Sequence, residues 1–260
     1  MNNTSPPLSG ERIGVVGSGA MGRGIAQLFA QAGADIVLHD ANPEALAAAM
    51  THLAGTFSTL AAKGKITEEA ARAATARIRP TEAGGLEAFA GCGVVVEAIV
   101  ERMEPKQALF RALEAVVGED CILATNTSSL SVTAIAAGCA RPGRVAGLHF
   151  FNPVPLMRVV EVIGGARTDE PVLERLAALV RATGHVAVRA ADMPGFLVNH
   201  AGRGYGTEAL RIVGESVAEF GEIDRILREQ VRFETPAGPA GFKLGPFELM
   251  DLTGLDVCSR

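Results

Sequence analysis

Short apolar runs alternate with amphipathic stretches through the first two-thirds of the chain. Between the runs, apolar residues recur at helical spacing, as Met21, Ile25, Leu28 and Phe29 do. This alternation predicts an α/β fold with a doubly wound, mainly parallel sheet of the Rossmann type. The predicted strands lie at residues 12–17, 35–40, 94–100, 121–126, 144–150, 157–163 and 185–190. From Pro194 onward only helical spacing is found, which predicts a smaller all-α domain.

We expect three parts along the chain. Residues 1–10 are predicted to be a disordered leader, because they lack the basic and apolar regions of a signal peptide. Residues 11–192 are predicted to form the α/β domain, with a projecting helix pair inserted at about 43–78. The second helix of that pair is expected to restart at Thr67, which serves as its N-cap. Residues 193–260 are expected to form the helical domain.

Composition narrows the class of protein. Of the 260 residues, 48% are hydrophobic and 20% are charged, which allows a sizeable core. The net charge is −5 and no basic block occurs, which gives no support for nucleic-acid binding. The apolar runs are too short to span a membrane, and the four cysteines are scattered, mostly in apolar runs typical of reduced thiols. These features favour a soluble cytoplasmic protein.

The stretch "GSGAMG" follows the first predicted strand and opens a helix. Such a motif arises easily by chance, but here an acid, Asp40, ends the next strand 18 residues after Gly22. Gly17 permits a tight turn, Gly19 lets the backbone approach a pyrophosphate, and Gly22 lets the helix pack closely. The alternative is a glycine turn in a non-binding α/β protein, with Asp40 as a helix cap.

A carboxylate at position 40 suits the hydroxyl groups of a ribose and repels a 2′-phosphate, so the motif favours NAD over NADP. The residues assigned to cofactor binding at this end of the sheet are Gly17, Gly19, Ala20, Met21, Gly22 and Asp40.

Polar groups also follow two further strands, and the carboxyl ends of parallel strands share one edge of a sheet. Glu101 and then Lys106 follow one strand, and Asn126 opens the segment "NTSS" after the next. An amide and hydroxyl groups there fit the nicotinamide half of NAD and a substrate. Helix capping by Ser128 or Ser129 is the alternative, and for Ser129 it is the preferred interpretation.

The segment "LHFFNPVPLMRVVEV" places two ionisable residues among apolar ones. If its flanking strands form an antiparallel hairpin centred on Pro155, the numbers of opposing residues sum to 310, and His149 lies opposite Glu161. A carboxylate bonded to one ring nitrogen leaves the other nitrogen able to take a proton. On spacing alone, a general base and a structural pair that steadies a turn are equally good interpretations. The five histidines lack metal-ligand spacing, so we expect no metal site.

Six segments occur in the order and spacing found in the 3-hydroxyacyl-CoA dehydrogenases, a family that this chain resembles over nearly its whole length. They are "GSGAMGRGIA", "VVVEAIVE", "ATNTSSLSVTAIA", "GLHFFNPVPLMRVVEVI", "DMPGFLVN" and "GPFELMDLTGLD". The bacterial 3-hydroxybutyryl-CoA type is the most similar branch. The resemblance implies reversible oxidation of L-3-hydroxyacyl-CoA to 3-ketoacyl-CoA with NAD, a place in β-oxidation or related acyl-CoA degradation, and a homodimer formed through the helical domain.

The resemblance also implies roles for individual residues. His149 corresponds to the general base and Glu161 to its partner, while Ser128 and Asn199 correspond to groups that bind the substrate oxygen. Asn152 corresponds to a residue that shapes the same pocket. The positions that match the family's other contacts are Asp40, Glu101, Lys106 and Asn126 for NAD, and Lys63 for CoA.

Some positions depart from the family pattern. Met193 stands where the family has threonine, His200 where it has arginine, and the segment 230–242 is longer. The family's helical domain continues beyond the position of Arg260, so the resemblance implies either that 193–260 is incomplete or that this chain has an unusually short helical domain. The acyl chain length stays open.

Two alternatives remain at this point. The β-hydroxyacid dehydrogenases share the opening motif but rely on a lysine in the helical domain, and the one lysine after Lys106 is Lys243, in a loop-like segment. The other alternative is a catalytically retired NAD-binding or structural relative. Against it stands the presence of the whole set Ser128, His149, Glu161 and Asn199.

Overall fold

The computed structural model describes residues 6–81, 85–235 and 238–253. The chain divides into two compact units, Met1–Phe196 and Leu197–Arg260. The elements of the first unit are β1 (Arg12–Val16), α1 (Ala20–Gln31), β2 (Asp35–His39), α2 (Pro43–Ala62), α3 (Glu68–Arg77), β3 (Ile78–Pro80), β4 (Val94–Glu97), α4 (Met103–Glu114), β5 (Ile122–Thr125), α5 (Val132–Ala136), β6 (Val145–Phe150), β7 (Val159–Gly164), α6 (Glu170–Ala182) and β8 (Val186–Ala191), with short 3-10 helices at Leu86–Phe89 and Pro142–Arg144. Those of the second unit are α7 (Val198–Gly214), α8 (Phe220–Glu229), β9 (Phe233–Thr235), β10 (Gly238–Ala240) and α9 (Pro246–Thr253).

An eight-stranded sheet forms the centre of the first unit, in the order β3-β2-β1-β4-β5-β6-β7-β8. Its neighbouring strands are parallel except for β6 and β7, which form an antiparallel pair. The predicted mainly parallel sheet is therefore confirmed.

Both faces of the sheet are covered. Val94 and Val96 of β4 belong to one buried hydrophobic cluster with residues of α1, α2 and α6, whereas Val95 belongs to a second cluster with residues of α4 and α5. Successive side chains of a strand point to opposite faces, so a central strand of a doubly wound sheet reads as a continuous apolar run. This is why the short valine-rich runs predicted buried strands.

The parallel strands bring five connections to one edge of the sheet. The glycine loop follows β1, Asp40 follows β2, Glu101 lies shortly after β4, and Asn126 follows β5. His149 lies at the end of β6, which runs parallel to β5. The order of the strands thus positions all these side chains on the same side of the first unit.

The projecting helix pair consists of α2 and α3. The hydroxyl of Thr67 accepts a hydrogen bond from the N–H of Ala70 at 3.0 Å, which confirms the predicted N-cap of α3. Within the described ranges, α2 is long and apolar enough to cross a membrane by length and composition alone, a test that a core helix also passes. Its buried residues, which include Leu53 and Phe57, pack in the same cluster as the sheet.

Three features differ from the sequence-based expectation. Strand β3 and the hairpin of β9 and β10 were not predicted, because strands of three residues are too short to show a period. Residues 6–10 are not a disordered leader, since Leu8 is buried and its N–H donates to the carbonyl of Ala32 at 3.0 Å. Residues 1–5 of that predicted leader, and Cys258, lie outside the described residues.

The second unit is mainly helical. Its α9 begins at a cap from α8, since the carboxylate of Asp224 accepts hydrogen bonds from the N–H groups of Phe247 and Glu248 at 2.9 and 3.1 Å. The ring of Tyr205 stacks on Phe242 with centroids 4.5 Å apart.

Candidate active site

The glycine loop between β1 and α1 is the first element of the site. Gly17 has a φ of +100°, and a Cβ there would lie 2.4 Å from the carbonyl oxygen of Ala98. A Cβ on Gly22 would lie 1.7 Å from the carbonyl oxygen of Gly17. The folded chain itself therefore requires glycine at both positions.

Gly19 is a different case. A Cβ there would meet no protein atom within 4 Å, so packing does not require glycine at this position. Gly19 is the N-cap of α1 and provides no side-chain cap for the first N–H groups of that helix. Exposed Ala20 and partly buried Met21 follow it in the first turn. Open space beside a helix N-terminus fits the pyrophosphate of a dinucleotide.

Asp40 is held in place by the glycine loop. Its Oδ2 accepts hydrogen bonds from the N–H and the O–H of Ser18, both at 2.7 Å, and its Oδ1 accepts from the N–H of Asn42 at 2.9 Å. Burial raises the pKa of Asp40, but the hydrogen bonds from Asn42 and Ser18 outweigh burial and hold this pKa below its usual value. The ionised carboxylate suits the hydroxyls of an adenosine ribose. Sequence reasoning missed Ser18, because a serine inside a glycine motif carries no signal of its own.

A buried ion-pair network lies at the ends of β4 and β5. Nζ of Lys106 lies 2.5 Å from Oε1 of Glu97 and 3.2 Å from Oε2 of Glu101. Glu97 also accepts hydrogen bonds from the N–H of Ile99 and the hydroxyl of Thr125, both at 2.7 Å. Lys106 is only 1% exposed, so its placement differs from the direct cofactor contact that the family resemblance implies.

Glu97 is a site residue that sequence reasoning missed. It is the last residue of β4 and is completely buried. Its partner Lys106 follows nine residues later, on α4, and a lone acid in an apolar strand gives no indication of such a partner. An acid in a buried strand could have been noticed, because burying a carboxylate is unfavourable unless a cation lies nearby.

Glu101 accepts several hydrogen bonds from the loop that follows β5. Its Oε1 accepts hydrogen bonds from the hydroxyl of Thr127 at 2.6 Å and from the N–H and O–H of Ser128 at 2.8 and 3.2 Å. The N–H and O–H of Ser129 donate to the same oxygen at 3.2 and 3.3 Å. Burial raises the pKa of Glu101, but the Thr127 hydrogen bond and the charge of Lys106 more than offset it, leaving the pKa below its ordinary value.

The cap of α5 is Ser131, so the preferred interpretation of Ser129 as a helix cap was wrong. The hydroxyl of Ser131 accepts from the N–H of Ala134 at 3.2 Å. Ser131 was not among the serines considered as caps from the sequence, and α5 begins directly after it.

Asn126 ties the end of β5 to the end of β6. Its N–H donates to the carbonyl of Glu97 at 2.8 Å, and its Oδ1 accepts from the N–H of Phe150 at 2.9 Å. Phe150 directly follows His149, so Asn126 holds the backbone next to the histidine. The side-chain oxygen of Asn126 is thus committed to the protein.

His149 and Glu161 form a buried pair. They are register partners in β6 and β7, which confirms the predicted pairing across the turn centred on Pro155. Nδ1 of His149 lies 2.6 Å from Oε2 of Glu161; the histidine is 4% exposed and the glutamate is fully buried. An ionised carboxylate only accepts hydrogen bonds, so this contact is compatible with a neutral imidazole that has its proton on Nδ1 and its lone pair on Nε2.

Two phenylalanines enclose the imidazole. The ring centroid of His149 lies 4.4 Å from that of Phe151 and 5.7 Å from that of Phe196. Phe196 has a φ of 47°, an unusual backbone conformation for a bulky residue, and it packs on Val132 and Ile163. Sequence reasoning missed both rings, since an aromatic residue in an apolar segment is indistinguishable from ordinary core.

Asp192 anchors the segment that leads to Phe196. Its Oδ1 accepts from the N–H of Val132 at 2.9 Å, and its Oδ2 accepts from the N–H and O–H of Thr133 and the O–H of Ser131 at 2.6 to 2.8 Å. These bonds join the end of β8 to the start of α5.

The other predicted residues are all exposed. Asn152 is exposed in the turn after β6, and Lys63 is exposed at the end of α2. Asn199 and exposed His200 lie in the first turn of α7, and Met193 is 60% exposed. Over the described part of the chain, no cluster of three or more histidine, cysteine, aspartate or glutamate residues fits a metal ion.

Family models match almost the whole chain. Residues 12–193 match the model described as 3-hydroxyacyl-CoA dehydrogenase, NAD binding domain, and residues 195–260 match the C-terminal domain of the same enzymes. The chain belongs to the 3-hydroxyacyl-CoA dehydrogenase family. NAD is the cofactor of the matched domain, in agreement with the open space at Gly19 and the ionised Asp40.

Individual relatives support the assignment. The chain is 42% identical over 247 residues to a 3-hydroxyadipyl-CoA dehydrogenase of Escherichia coli, covering 95% of this chain and 50% of that protein. It is 37% identical to a 3-hydroxybutyryl-CoA dehydrogenase of Bradyrhizobium diazoefficiens, covering 95% of this chain and 81% of that protein. The chain thus spans about half the length of the first relative and about four-fifths of the second.

Solved structures of family members have the same fold. A 3-hydroxybutyryl-CoA dehydrogenase from Escherichia coli superimposes with a TM-score of 0.88 at 41% identity, covering 96% of this chain and 51% of that one. An (S)-3-hydroxybutyryl-CoA dehydrogenase from Ralstonia eutropha gives a TM-score of 0.87 at 33% identity, covering 96% and 84%.

The remaining buried histidines of this 3-hydroxyacyl-CoA dehydrogenase family member have structural partners. Nδ1 of His39 lies 2.7 Å from the hydroxyl of Thr81, and burial lowers the pKa of His39. His185 lies 3.2 Å from the carbonyl of Val154 through Nε2 and so braces the turn that follows His149. Among the buried histidines, His149 is the one with a carboxylate partner.

Proposed function

We propose that this chain oxidises L-3-hydroxyacyl-CoA to 3-ketoacyl-CoA by reversible hydride transfer to NAD, with a short acyl chain as substrate. Relatives named for 3-hydroxybutyryl-CoA and 3-hydroxyadipyl-CoA support this substrate class. The fatty acid oxidation complex subunit of Psychrobacter cryohalolentis, 36% identical, supports a place in fatty-acid or related acyl-CoA degradation. We further propose a cytoplasmic homodimer that forms through the helical unit.

The buried pair of His149 and Glu161 is the observation that carries this proposal. Removal of hydride from C3 of the substrate requires the 3-hydroxyl to lose its proton. Nε2 of His149 takes that proton, because the hydrogen bond from Nδ1 to Glu161 fixes the tautomer that leaves Nε2 basic. The negative charge of Glu161 then stabilises the imidazolium ion that forms. In the reverse reaction, the same imidazolium returns the proton to the 3-keto oxygen.

NAD, when bound, supplies the hydride acceptor. The glycine loop binds its pyrophosphate, Asp40 binds its adenosine ribose, and Asn126 and Glu101 border the nicotinamide side of the site. Gly19 supports the first of these roles, since the fold itself leaves open space at that position.

The substrate oxygen needs hydrogen-bonding partners in addition to the base. We assign this role to Ser128 and Asn199, whose hydrogen bonds hold the 3-oxygen while the proton leaves, and we assign Asn152 to shaping the pocket. Lys63 is assigned to the CoA phosphates, which its exposed position at the end of α2 supports.

The experiment that tests the proposal is a measurement of NADH formation with a panel of acyl-CoA substrates. The panel contains L-3-hydroxybutyryl-CoA, its D enantiomer, 3-hydroxyadipyl-CoA and longer 3-hydroxyacyl-CoA esters. We expect turnover of the short L substrate with NAD and little with NADP. A chain that binds NAD but turns over none of these esters is not the proposed enzyme.

A further inference from the structure

Glu97 combines two properties that a core position rarely has. Its carboxylate is completely buried, and it lies at the end of β4, on the edge of the sheet where the site residues gather. Its recorded partners in the described residues are all donors, namely Lys106, the N–H of Ile99 and the hydroxyl of Thr125. An acceptor surrounded by donors is the environment of an ionised carboxylate.

A continuous series of contacts links Glu97 to Ser128. Lys106 donates to Oε1 of Glu97 at 2.5 Å and pairs with Oε2 of Glu101 at 3.2 Å. The other oxygen of Glu101 accepts from the N–H and O–H of Ser128 at 2.8 and 3.2 Å. One oxygen of Glu101 thus faces the lysine and the other faces the loop.

The position of Lys106 depends on both carboxylates. A lysine ammonium is a compact charge on a flexible stem, so it moves toward whatever anion or water is near. With Glu97 present, the ammonium is held between two glutamates and is 1% exposed. Without the charge of Glu97, we expect the ammonium to shift toward Glu101 and the carboxylate of Glu101 to shift with it.

We propose that Glu97 is a positioning residue for alcohol oxidation: through Lys106 it sets the orientation of Glu101, and through Glu101 the orientation of the Ser128 hydroxyl. This inference rests on the proposed function, in which Ser128 binds the substrate oxygen. Glu97 touches neither substrate nor cofactor in this scheme. Its effect falls on the chemical step, because a displacement of an orienting group by about 1 Å costs up to roughly 10²-fold in rate.

The test is Glu97→Gln, which keeps the shape of the side chain and removes its charge. We expect kcat for L-3-hydroxybutyryl-CoA to fall by about tenfold to 10²-fold, while the Kd for NAD changes less than about threefold. The glycine loop and Asp40 bind most of NAD, which is why its Kd is little affected.

The matched control is Glu114→Gln, on α4, the helix that also carries Lys106. Glu114 is also shielded, pairs with Arg144 at 3.4 Å and accepts the N–H groups of Ala140 and Arg141 at 2.7 and 2.9 Å. Its backbone partners lie in the segment before β6, at the edge of the sheet opposite to Glu97. Its substitution is expected to lower thermal stability without changing kcat more than about twofold.

A double-mutant cycle tests whether Glu97 acts through Lys106. If it does, Glu97→Gln in a Lys106→Met background causes little further loss of kcat/KM, so the two effects are strongly non-additive. Additive losses, or a folded Glu97→Gln variant with the parent's kcat, overturn the inference. If Glu97→Gln does not fold, Thr125→Val removes one donor to Glu97, and Thr127→Val is compared with it because the Thr125 hydroxyl also accepts from the N–H of Thr127 at 3.2 Å. The inference expects Thr125→Val to lower kcat several-fold with little further loss in a Lys106→Met background, and an unchanged kcat or additive losses overturn it.

The parent chain separates this test from that of the proposed function. A parent without turnover contradicts the proposed function. A parent that is active, with a Glu97→Gln variant equally active, contradicts only the positioning role.

Discussion

His149 and Glu161 face each other across the antiparallel pair of β6 and β7, and their side chains meet at an Nδ1–Oε2 distance of 2.6 Å. These strands form the antiparallel exception in an otherwise parallel sheet. The hairpin gives the pair its geometry, because opposing residues of an antiparallel ladder have neighbouring Cβ atoms. A base and its orienting acid are thus held by backbone pairing rather than by a flexible loop.

Glu161→Gln is expected to reduce kcat by on the order of 10²-fold or more. The amide carries no charge to stabilise the imidazolium ion, and its NH2 group favours the tautomer with the proton on Nε2. The Kd for NAD should stay near the parent's, measured by calorimetric titration. Glu170→Gln is the control, since Glu170 is an exposed partner of Arg189. A Glu161→Gln variant with the parent's kcat contradicts the assigned role.

Gly19→Ala should weaken NAD binding without loss of stability, whereas Gly22→Ala should destabilise the fold. A methyl at Gly19 meets no protein atom within 4 Å, so the melting temperature stays within a few degrees of the parent's. The same methyl occupies the approach of the pyrophosphate and should raise the Kd for NAD by about tenfold or more. Gly22→Ala instead places a carbon 1.7 Å from the carbonyl oxygen of Gly17 and should destabilise the fold itself. Thermal melts with and without NAD distinguish the two; unchanged NAD affinity in Gly19→Ala contradicts the binding role.

Asp192→Asn should lower the free energy of unfolding by about 1–3 kcal/mol at neutral pH, because Asp192 accepts four hydrogen bonds at the start of α5. Burial raises the pKa of Asp192, but the bonds from Thr133, Val132 and Ser131 hold it below the ordinary value of 3.8.

A carboxyl whose pKa is lower in the folded protein than in the unfolded chain stabilises the fold at pH values above its unfolded-state pKa. This contribution is lost as the pH falls through the folded-state pKa. The deficit of the Asp192→Asn variant should therefore shrink as the pH drops below about 4, as urea titrations at several pH values will show. Asp169→Asn is the control, because the Asp169 side chain makes no cap bond to α6. A deficit that is constant between neutral pH and pH 3 contradicts this explanation.

The sequence predicted the fold best where apolar residues formed a regular pattern or where a turn defined the pairing of two strands. Short apolar runs predicted β4 and β5, and the symmetry of the proline turn predicted the pairing of His149 with Glu161. The glycine motif predicted a turn that needs Gly17 and Gly22 and leaves space at Gly19, which the structure has.

Long-range side-chain partners were beyond the reach of the sequence. Glu97, Lys106 and Thr125 come from three different elements, and their association follows from the order of the strands, which no local pattern encodes. The choice of Ser131 rather than Ser129 as the cap of α5 likewise depends on tertiary partners, since Asp192 bonds to Ser131 and Glu101 to Ser129. Sequence patterns therefore located the site, and the packing determined which groups hold it together.

The most direct test of the central claim is turnover by His149→Gln, measured as NADH formation from L-3-hydroxybutyryl-CoA beside the Kd for NAD. We expect kcat to fall by about 10²-fold or more while NAD binds as in the parent, because the variant loses its proton acceptor and keeps the glycine loop and Asp40. A His149→Gln variant that oxidises the substrate at the parent's rate would contradict the assignment of His149 as the base.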